Sequence, residues 1–359
     1  MPGLLWPALP LSPTEGLAVK WRNVLRKIVV LCLIGTCAVL TFTGLALAQD
    51  PLPSWNEGPA KQAIVSFVRK VTDKSSVAYV PPADRLATFD QDGTLWVEHP
   101  IYTQAMFALD RVHELAPKHL EWKNEHPFKA ILGNDQGAIA SFTEQEWAKI
   151  IGATHAGMTT EAFLKIAQEW LARAKHPRFQ KPYTELVYLP MLEVMHYLRV
   201  NGFKTFIVTG GGQEFVRVYS EQVYDIPPEQ VVGSSIATKY EYQDRKPVLM
   251  RLPKVLFIDD HAGKAIGINL FIGKRPLAAF GNSGGDREML EYTGAGSGAR
   301  LMMLVLHDDA QREYAYGPAE GLPATKVGTF TQALYDEAKQ DGWFVISMKK
   351  DWKKIFAWE

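Results

Sequence analysis

Asp90 and Asp92 stand two residues apart in Ala87-Thr88-Phe89-Asp90-Gln91-Asp92-Gly93-Thr94, where an apolar ramp expected to be a strand gives way to a loop. In extended backbone the side chains at i and i+2 project to the same side, so both carboxylates can address one reacting centre. Gly93 lets the chain turn sharply beside whatever is bound. Two such carboxylates can divide a covalent displacement, one attacking while the other moves protons. On these eight residues alone, an Asp-rich strand end or a calcium loop is the structural alternative.

Three further segments carry polar groups suited to the same centre. Phe206-Ile207-Val208-Thr209-Gly210-Gly211-Gly212 precedes an expected helix at Gln213 to Val223. A hydroxyl followed by glycines at a strand-to-helix turn forms an anion cradle, with Thr209, Gly210 and Gly211 able to meet phosphoryl oxygens. Lys264, in Asp259-Asp260-His261-Ala262-Gly263-Lys264, can neutralise a phosphoryl group, with Lys274 and Arg275 as competitors. Asp259 and Asp260 read equally as rim residues or as helix caps. Asn282 and Asp286 are oxygen ligands in the Gly-rich turn Gly281-Asn282-Ser283-Gly284-Gly285-Asp286. Were Asp90, Asp92 and Asp286 to converge, each close pair would repel by roughly 4 kcal/mol at about 4 Å and an effective dielectric of 20. A divalent cation relieves this, and all-oxygen ligation points to Mg²⁺; proton sharing is the other relief.

The elements that must position these groups follow from short apolar runs that close in Gly- or Asp-rich loops. Leu86 to Phe89, Phe203 to Val208, Val255 to Ile258, Leu277 to Phe280 and Leu301 to Leu306 read as buried parallel strands. Helical patterns between them, such as Pro190 to Arg199, imply an α/β fold with a doubly wound, Rossmann-like parallel sheet. Ligands of such sheets bind outside the carboxyl ends of the strands, where the polar segments collect. Between the first two strands lie about a hundred residues, far more than a crossover helix needs. They are expected to form a helical cap at 96–185, with its clearest helices at Glu144 to Ile150 and Thr160 to Ala174. The core then comprises 49–95 and 186–359.

The first 48 residues read as a separate signal. Lys20, Arg22, Arg26 and Lys27 precede an apolar run from Ile28 to Leu47 that closes Ala46-Leu47-Ala48, the pattern of an export signal. The expected location is the bacterial periplasm, with a retained membrane anchor as the alternative because the run approaches spanning length. Both cysteines, Cys32 and Cys37, fall inside this run, so the cleaved chain would have no thiol chemistry. Cleavage removes four basic residues and one acidic residue from 39 of each, leaving 35 against 38. Such a balance offers no nucleic-acid surface; it is the cradle at Thr209, with Lys264, that makes a small phosphorylated molecule the expected partner.

From Arg85 to Leu290 the chain resembles the haloacid dehalogenase superfamily of phosphohydrolases, and within it the phosphoserine phosphatase-like branch. Asp90 to Thr94 matches the first motif, Asp-x-Asp-Gly-Thr, in full; Thr209-Gly210-Gly211 matches the second; Lys264 is the best match to the third. The resemblance implies that Asp90 is a nucleophile forming an aspartyl phosphate and Asp92 the acid and base. It also implies Mg²⁺ held by Asp90, the main-chain carbonyl of Asp92 and the loop of Asn282 and Asp286, with the insertion as the cap. One departure stands out: Asn282 occupies the position where the fourth motif usually begins with an aspartate. A dehalogenase using the same carboxylate, or an exported phosphate-ester binding protein without turnover, are the rival functions. Substrate choice is expected in the cap and in the loop Leu95 to Pro100, where Glu98 reads either as a contact for a substrate amine or as a solvated carboxylate. Trp96, Trp122, Trp147 and Trp170 are expected either to line an aromatic pocket suited to a cation or to be core.

Overall fold

The computed structural model describes residues 50–359, so the export segment expected at residues 1–48 lies outside the described residues. Seven strands form one sheet: β1 (Leu86–Phe89), β2 (Lys204–Gly212), β3 (Val231–Gln243), β4 (Lys246–Phe257), β5 (Ala278–Gly281), β6 (Leu301–Leu306) and β7 (Phe344–Ser347). Their spatial order is β4-β3-β2-β1-β5-β6-β7. Neighbours run parallel except β3 and β4, which pair antiparallel. The chain steps outward from β1 through β2 and β3, then restarts on the other side of β1 with β5. That reversal opens a crevice at the carboxyl end of β1, the end that carries Asp90.

The central strands are apolar because both of their faces are covered. All four residues of β1 are buried, as are all four of β5. Phe89 and Phe280 stack across the pair with centroids 4.5 Å apart. The principal helices are α1 (Pro59–Thr72), α2 (Thr103–Leu115), α3 (Glu144–His155), α4 (Thr160–Arg173), α5 (Leu189–Val200), α6 (Gln213–Arg217), α7 (Ala262–Gly267), α8 (Arg287–Gly294) and α9 (Gln332–Gln340). Helix α1 begins with Pro59 in its first turn and buries Ile64, Phe67, Val68 and Val71, spaced along one face. None of the helices of the described residues is long and apolar enough to cross a membrane.

The insertion between β1 and β2 is helical and has its own apolar cluster, which includes Val112, Trp122, Phe128, Ile131 and Ile150. Its stem is a short antiparallel contact: Val97 N–H donates to Leu186 O at 3.1 Å and Tyr188 N–H to Leu95 O at 2.9 Å. Helix α3 opens with a reciprocal capping box between Thr143 and Glu146, and α4 with the Thr159 hydroxyl accepting from Ala162 N–H.

Two expectations for the core are corrected. The run Val255 to Ile258 is not a buried parallel strand; it ends β4, the return arm of a long hairpin, where Val255, Leu256 and Ile258 are exposed. Its apolar residues serve a surface that overhangs the crevice rather than the sheet interior. The helix expected over Gln213 to Val223 is two short helices, α6 and Ser220–Tyr224, broken near Val218 and Tyr219. The hairpin turns at Asp244 and Arg245, both with positive φ, without the Asn-Gly or Asp-Gly pair that usually announces such a turn. Its strands are also stitched to the cap: Gly157 N–H donates to Arg251 O and Arg251 N–H to Met158 O, each at 2.9 Å.

Candidate active site

Asp90 follows β1 directly, its N–H held by Phe280 O at 2.9 Å. Its Oδ1 accepts from Lys264 Nζ at 2.5 Å, and the same ammonium donates to Asp286 Oδ1 at 2.5 Å and to Val208 O at 3.1 Å. The two carboxylate oxygens on Lys264 therefore lie within about 5 Å of one another. Lys264 is only 2% exposed. Burial alone would favour the neutral amine, but Asp286 and Asp90 outweigh it and hold the ammonium charged. Burial, with Asp286 close by, pushes the Asp90 carboxyl above the usual range while Lys264 pulls it down. The lysine expected to meet a phosphoryl group thus spends its three N–H donors on protein oxygens and is the main relief of the carboxylate repulsion.

Asp92 is anchored on one side. Trp96 Nε1–H donates to its Oδ1 at 2.7 Å, so Trp96 positions the acid rather than standing free for substrate. The other oxygen, Oδ2, lies 3.7 Å from where a Cβ on Gly211 would stand. Asp92 thereby faces the glycine cradle. Burial raises its pKa to about 6, against the pull of the Trp96 N–H and Lys264, so both protonation states are accessible near neutrality. In the cradle the Thr209 hydroxyl accepts from Gly211 N–H at 3.0 Å, which fixes the turn. Gly212 N–H donates to Gln104 Oε1 of the cap at 2.7 Å, and Gln104 Nε2 lies 3.2 Å from His155 Nε2. Burial keeps His155 neutral, lowering its pKa to about 3, so its ring nitrogen can accept from the amide.

Asn282 and Asp286 have different tasks. Both oxygens of Asp286 are taken, Oδ1 by Lys264 and Oδ2 by the N–H groups of Asn282 and Ser283 at 2.9 and 3.1 Å. Asn282 Oδ1 lies 3.2 Å from Thr94 Oγ1, and Asp90 Oδ2 lies 3.3 Å from the same hydroxyl. One hydroxyl proton cannot satisfy both oxygens. A carboxylate oxygen and an amide oxygen converging there form a donor set that suits a hard cation such as Mg²⁺. Among the described residues, no group of three or more His, Cys, Asp or Glu side chains is disposed to hold a metal ion. The set at Thr94 is of another kind, because half of it is an amide.

Glu98 is neither solvated nor open to a substrate. It is 2% exposed, and its Oε1 accepts from Asn282 Nδ2 at 2.7 Å and from Tyr316 OH at 2.8 Å. Burial pushes its carboxyl well above the usual range. Tyr316 stacks on His307, whose Nε2 meets Gly93 O at 2.8 Å and whose Nδ1 lies 3.1 Å from Glu313 Oε2. His307, assigned no role from sequence, thus braces the loop that follows Asp92.

Asp90, Asp92, Thr209, Gly210, Gly211 and Lys264 line one cavity of about 410 Å³. Much of its wall is apolar and comes from three sources, Trp147, Ile151 and Phe163 of the cap, Phe215 of α6, and Val255 and Phe257 of the hairpin, while Gln104, His155, Glu214 and Arg251 add polar groups. Of the four tryptophans considered for an aromatic pocket, only Trp147 lines it. Trp96 stacks on Tyr219, Trp122 sits between His119 and Phe128, and Trp170 donates to Asp110, all as packing.

Asp259 lies next to this floor, fully buried, and neither carboxylate oxygen has a well-formed hydrogen bond. His261, not an aspartate, stands at the start of α7, and no side chain caps it. Burial raises the Asp259 pKa to about 7 against the pull of Lys264. The folded state then binds its proton more tightly than the unfolded state, so stability falls as pH rises from about 3.8 to about 7. Asp259→Asn is expected to melt higher than the parent at pH 8, with the difference shrinking toward pH 4. A calorimetric difference that does not change with pH would contradict this.

The site defines a hydrolase class in which a carboxylate at the end of the first strand of a doubly wound sheet faces a second carboxylate, a glycine cradle and a buried lysine. Residues 85–247 match the haloacid dehalogenase-like hydrolase family. The matched segment is a haloacid dehalogenase-like hydrolase domain. Among solved structures it is similar to a functionally unknown protein from Anaerococcus prevotii DSM 20548, at 15% identity and a TM-score of 0.47, over 70% of this chain and 86% of that one. It is also similar to a protein of unknown function from Bordetella pertussis Tohama I, at 17% identity and a TM-score of 0.45, over 73% and 97%. A phospho-aspartyl intermediate analogue of phosphoserine phosphatase aligns at 16% identity and a TM-score of 0.33, over 76% and 95%. No curated protein matches.

Proposed function

We propose that this chain is an exported phosphomonoesterase that acts through an aspartyl phosphate on Asp90, with a small phosphate ester of apolar body as its substrate. The observation that carries the reading is the shared cavity: Asp90 and Asp92 meet the Thr209 to Gly211 cradle, and apolar side chains form much of the rest of its lining. The Thr209 hydroxyl and the cradle, with a cation at Asp90 and Asn282, would meet the phosphoryl group, and the largely apolar wall would meet the rest of the ester. Export is supported by the basic flank, apolar run and Ala46-Leu47-Ala48 ending. The phosphoserine phosphatase-like branch is supported by the Asp-x-Asp-Gly-Thr motif followed by the helical insertion.

In the first step a carboxylate oxygen of Asp90 attacks phosphorus while the bond from phosphorus to the ester oxygen breaks. Asp92, in its protonated form, delivers its proton to the departing alkoxide. In the second step the ionised Asp92 takes a proton from water, the resulting hydroxide oxygen bonds to phosphorus, and the Asp90 carboxylate leaves. Trp96 keeps Asp92 Oδ1 occupied, so the proton moves through the oxygen that faces Gly211. Asp90, Asn282 and the main-chain carbonyl of Asp92 would hold Mg²⁺, which would neutralise charge on the phosphoryl oxygens. Gly210 and Gly211 leave room for the transferred group, and Thr209 fixes their turn. A dehalogenase would need no proton donor on its leaving group, whereas Asp92 is anchored and aimed at the cradle.

The test is Mg²⁺-dependent release of phosphate from p-nitrophenyl phosphate, followed by a panel of alkyl, aryl and polar phosphate monoesters. Asp92→Asn is expected to lower kcat by about 10²–10⁴ while binding of the ester survives. Unchanged turnover in that variant would remove Asp92 from the chemistry. Saturable binding by the parent without release of phosphate would favour a binding protein.

A further inference from the structure

Asn282 is an unusual residue for its place, since an aspartate there would add a charge to any cation site. Its surroundings account for the exchange. Glu98 Oε1 lies 2.7 Å from Asn282 Nδ2, deep in the protein, where an acid at position 282 would lose this N–H donor and leave two buried carboxyl groups that must either repel or share a proton. The seat of Glu98 is built by two glycines in the left-handed region, Gly93 at φ +75° and Gly328 at φ +63°. A Cβ on Gly93 would collide with both Glu98 Oε1 and Asn282 Nδ2. A Cβ on Gly328 would collide with Glu98 Oε1 itself. The Tyr316 hydroxyl closes the seat from another side. Three separate stretches of chain, at Gly93, Tyr316 and Gly328, therefore agree on placing the Glu98 carboxyl against the amide of Asn282.

We infer that Glu98 is the positioning residue for Asn282: by accepting from Nδ2 it turns the carbonyl Oδ1 toward Asp90 and Thr94, and it makes an amide obligatory at position 282. Glu98 and Asn282 then act as one unit, an acid and an amide whose roles can be exchanged but not separated. An isolated Asn has two nearly equivalent faces, and the carboxylate removes the choice. This rests on the reading of the site as a metal-assisted phosphatase only for the purpose that the Oδ1 orientation serves. The pairing itself is a property of the folded chain.

The experiment is a double-mutant cycle on the full chain with two readouts. Melting is measured without divalent cations, and the Mg²⁺ concentration for half-maximal p-nitrophenyl phosphate hydrolysis is measured separately. Asn282→Asp is expected to melt at least about 5 °C below the parent, because it removes the N–H donor and leaves two buried acids that must repel or share a proton. Glu98→Gln is expected to raise the Mg²⁺ requirement by roughly 10–100-fold, since the introduced side chain, itself an amide, can meet either face of Asn282. The double variant Glu98→Gln with Asn282→Asp restores an amide-to-carboxylate bond with the donor reversed. It should regain most of the melting temperature lost by Asn282→Asp. If Asn282→Asp is insoluble and the double variant folds, the pairing is supported; if the double variant melts no higher than Asn282→Asp, or also fails to fold, it is overturned. A parent that lacks phosphatase activity, yet shows the melting-temperature recovery, would remove the proposed reaction and leave the pairing intact. Active protein with additive melting shifts would do the reverse.

Discussion

Asp90→Asn is expected to reduce phosphate-ester turnover by roughly 10⁴-fold or more, since it removes the atom that forms the covalent bond. The amide keeps the size of the side chain and can still occupy the space beside Lys264 and Thr94, so the fold should persist. Acid-quenched protein from the parent, mixed with a rapidly hydrolysed ester, should carry a phosphoryl group on the peptide that contains residue 90. The variant should carry none. Turnover in Asp90→Asn within tenfold of the parent would mean that another group, or water directly, attacks phosphorus.

Lys264→Met should be the most destabilising single change at the site. It leaves Asp90 and Asp286 buried without the ammonium that now touches both at 2.5 Å. Breaking a buried ion pair from one side costs about 3–5 kcal/mol, on the order of 10 °C in melting temperature for a domain of this size. Adding Asp286→Asn to Lys264→Met removes one of the stranded charges and should recover part of the loss. A single variant that melts with the parent would show that one or both carboxylates are already neutral in the fold.

Much of the site is legible in the sequence because its groups sit at strand ends, and buried strands are visible as apolar runs. Leu86 to Phe89 and Leu301 to Leu306 are strands with the bounds expected from their apolar residues. The i, i+2 spacing of Asp90 and Asp92, and the hydroxyl before three glycines, carry their geometry in the order of residues. What spacing cannot reveal is which oxygen faces which donor. Lys264 as a bridge between Asp90 and Asp286, and Glu98 as the partner of Asn282, join residues 174, 22 and 184 positions apart. Gln104, Arg251 and Tyr316 escape a sequence reading for the same reason, as none belongs to a local pattern. The hairpin arm reads as a core strand because Val255 to Ile258 is as apolar as one. Its apolar residues instead cover a crevice, and a bare run does not distinguish the two purposes.

The hydrogen bonds between Arg251 and the segment Gly157 to Met158 have a mechanical consequence. Jaws contributed by two different insertions, one after the first strand and one after the third, share a main-chain clasp. Neither can swing outward on its own without breaking that clasp. Entry and exit of the ester must carry the two together as a single shutter, or proceed through whatever gap the clasp leaves. The bend at residues 244 and 245 lies beyond it, so lengthening that tip should leave the shutter's travel unchanged, whereas loosening the clasp should alter access for bulky esters before it alters the chemistry.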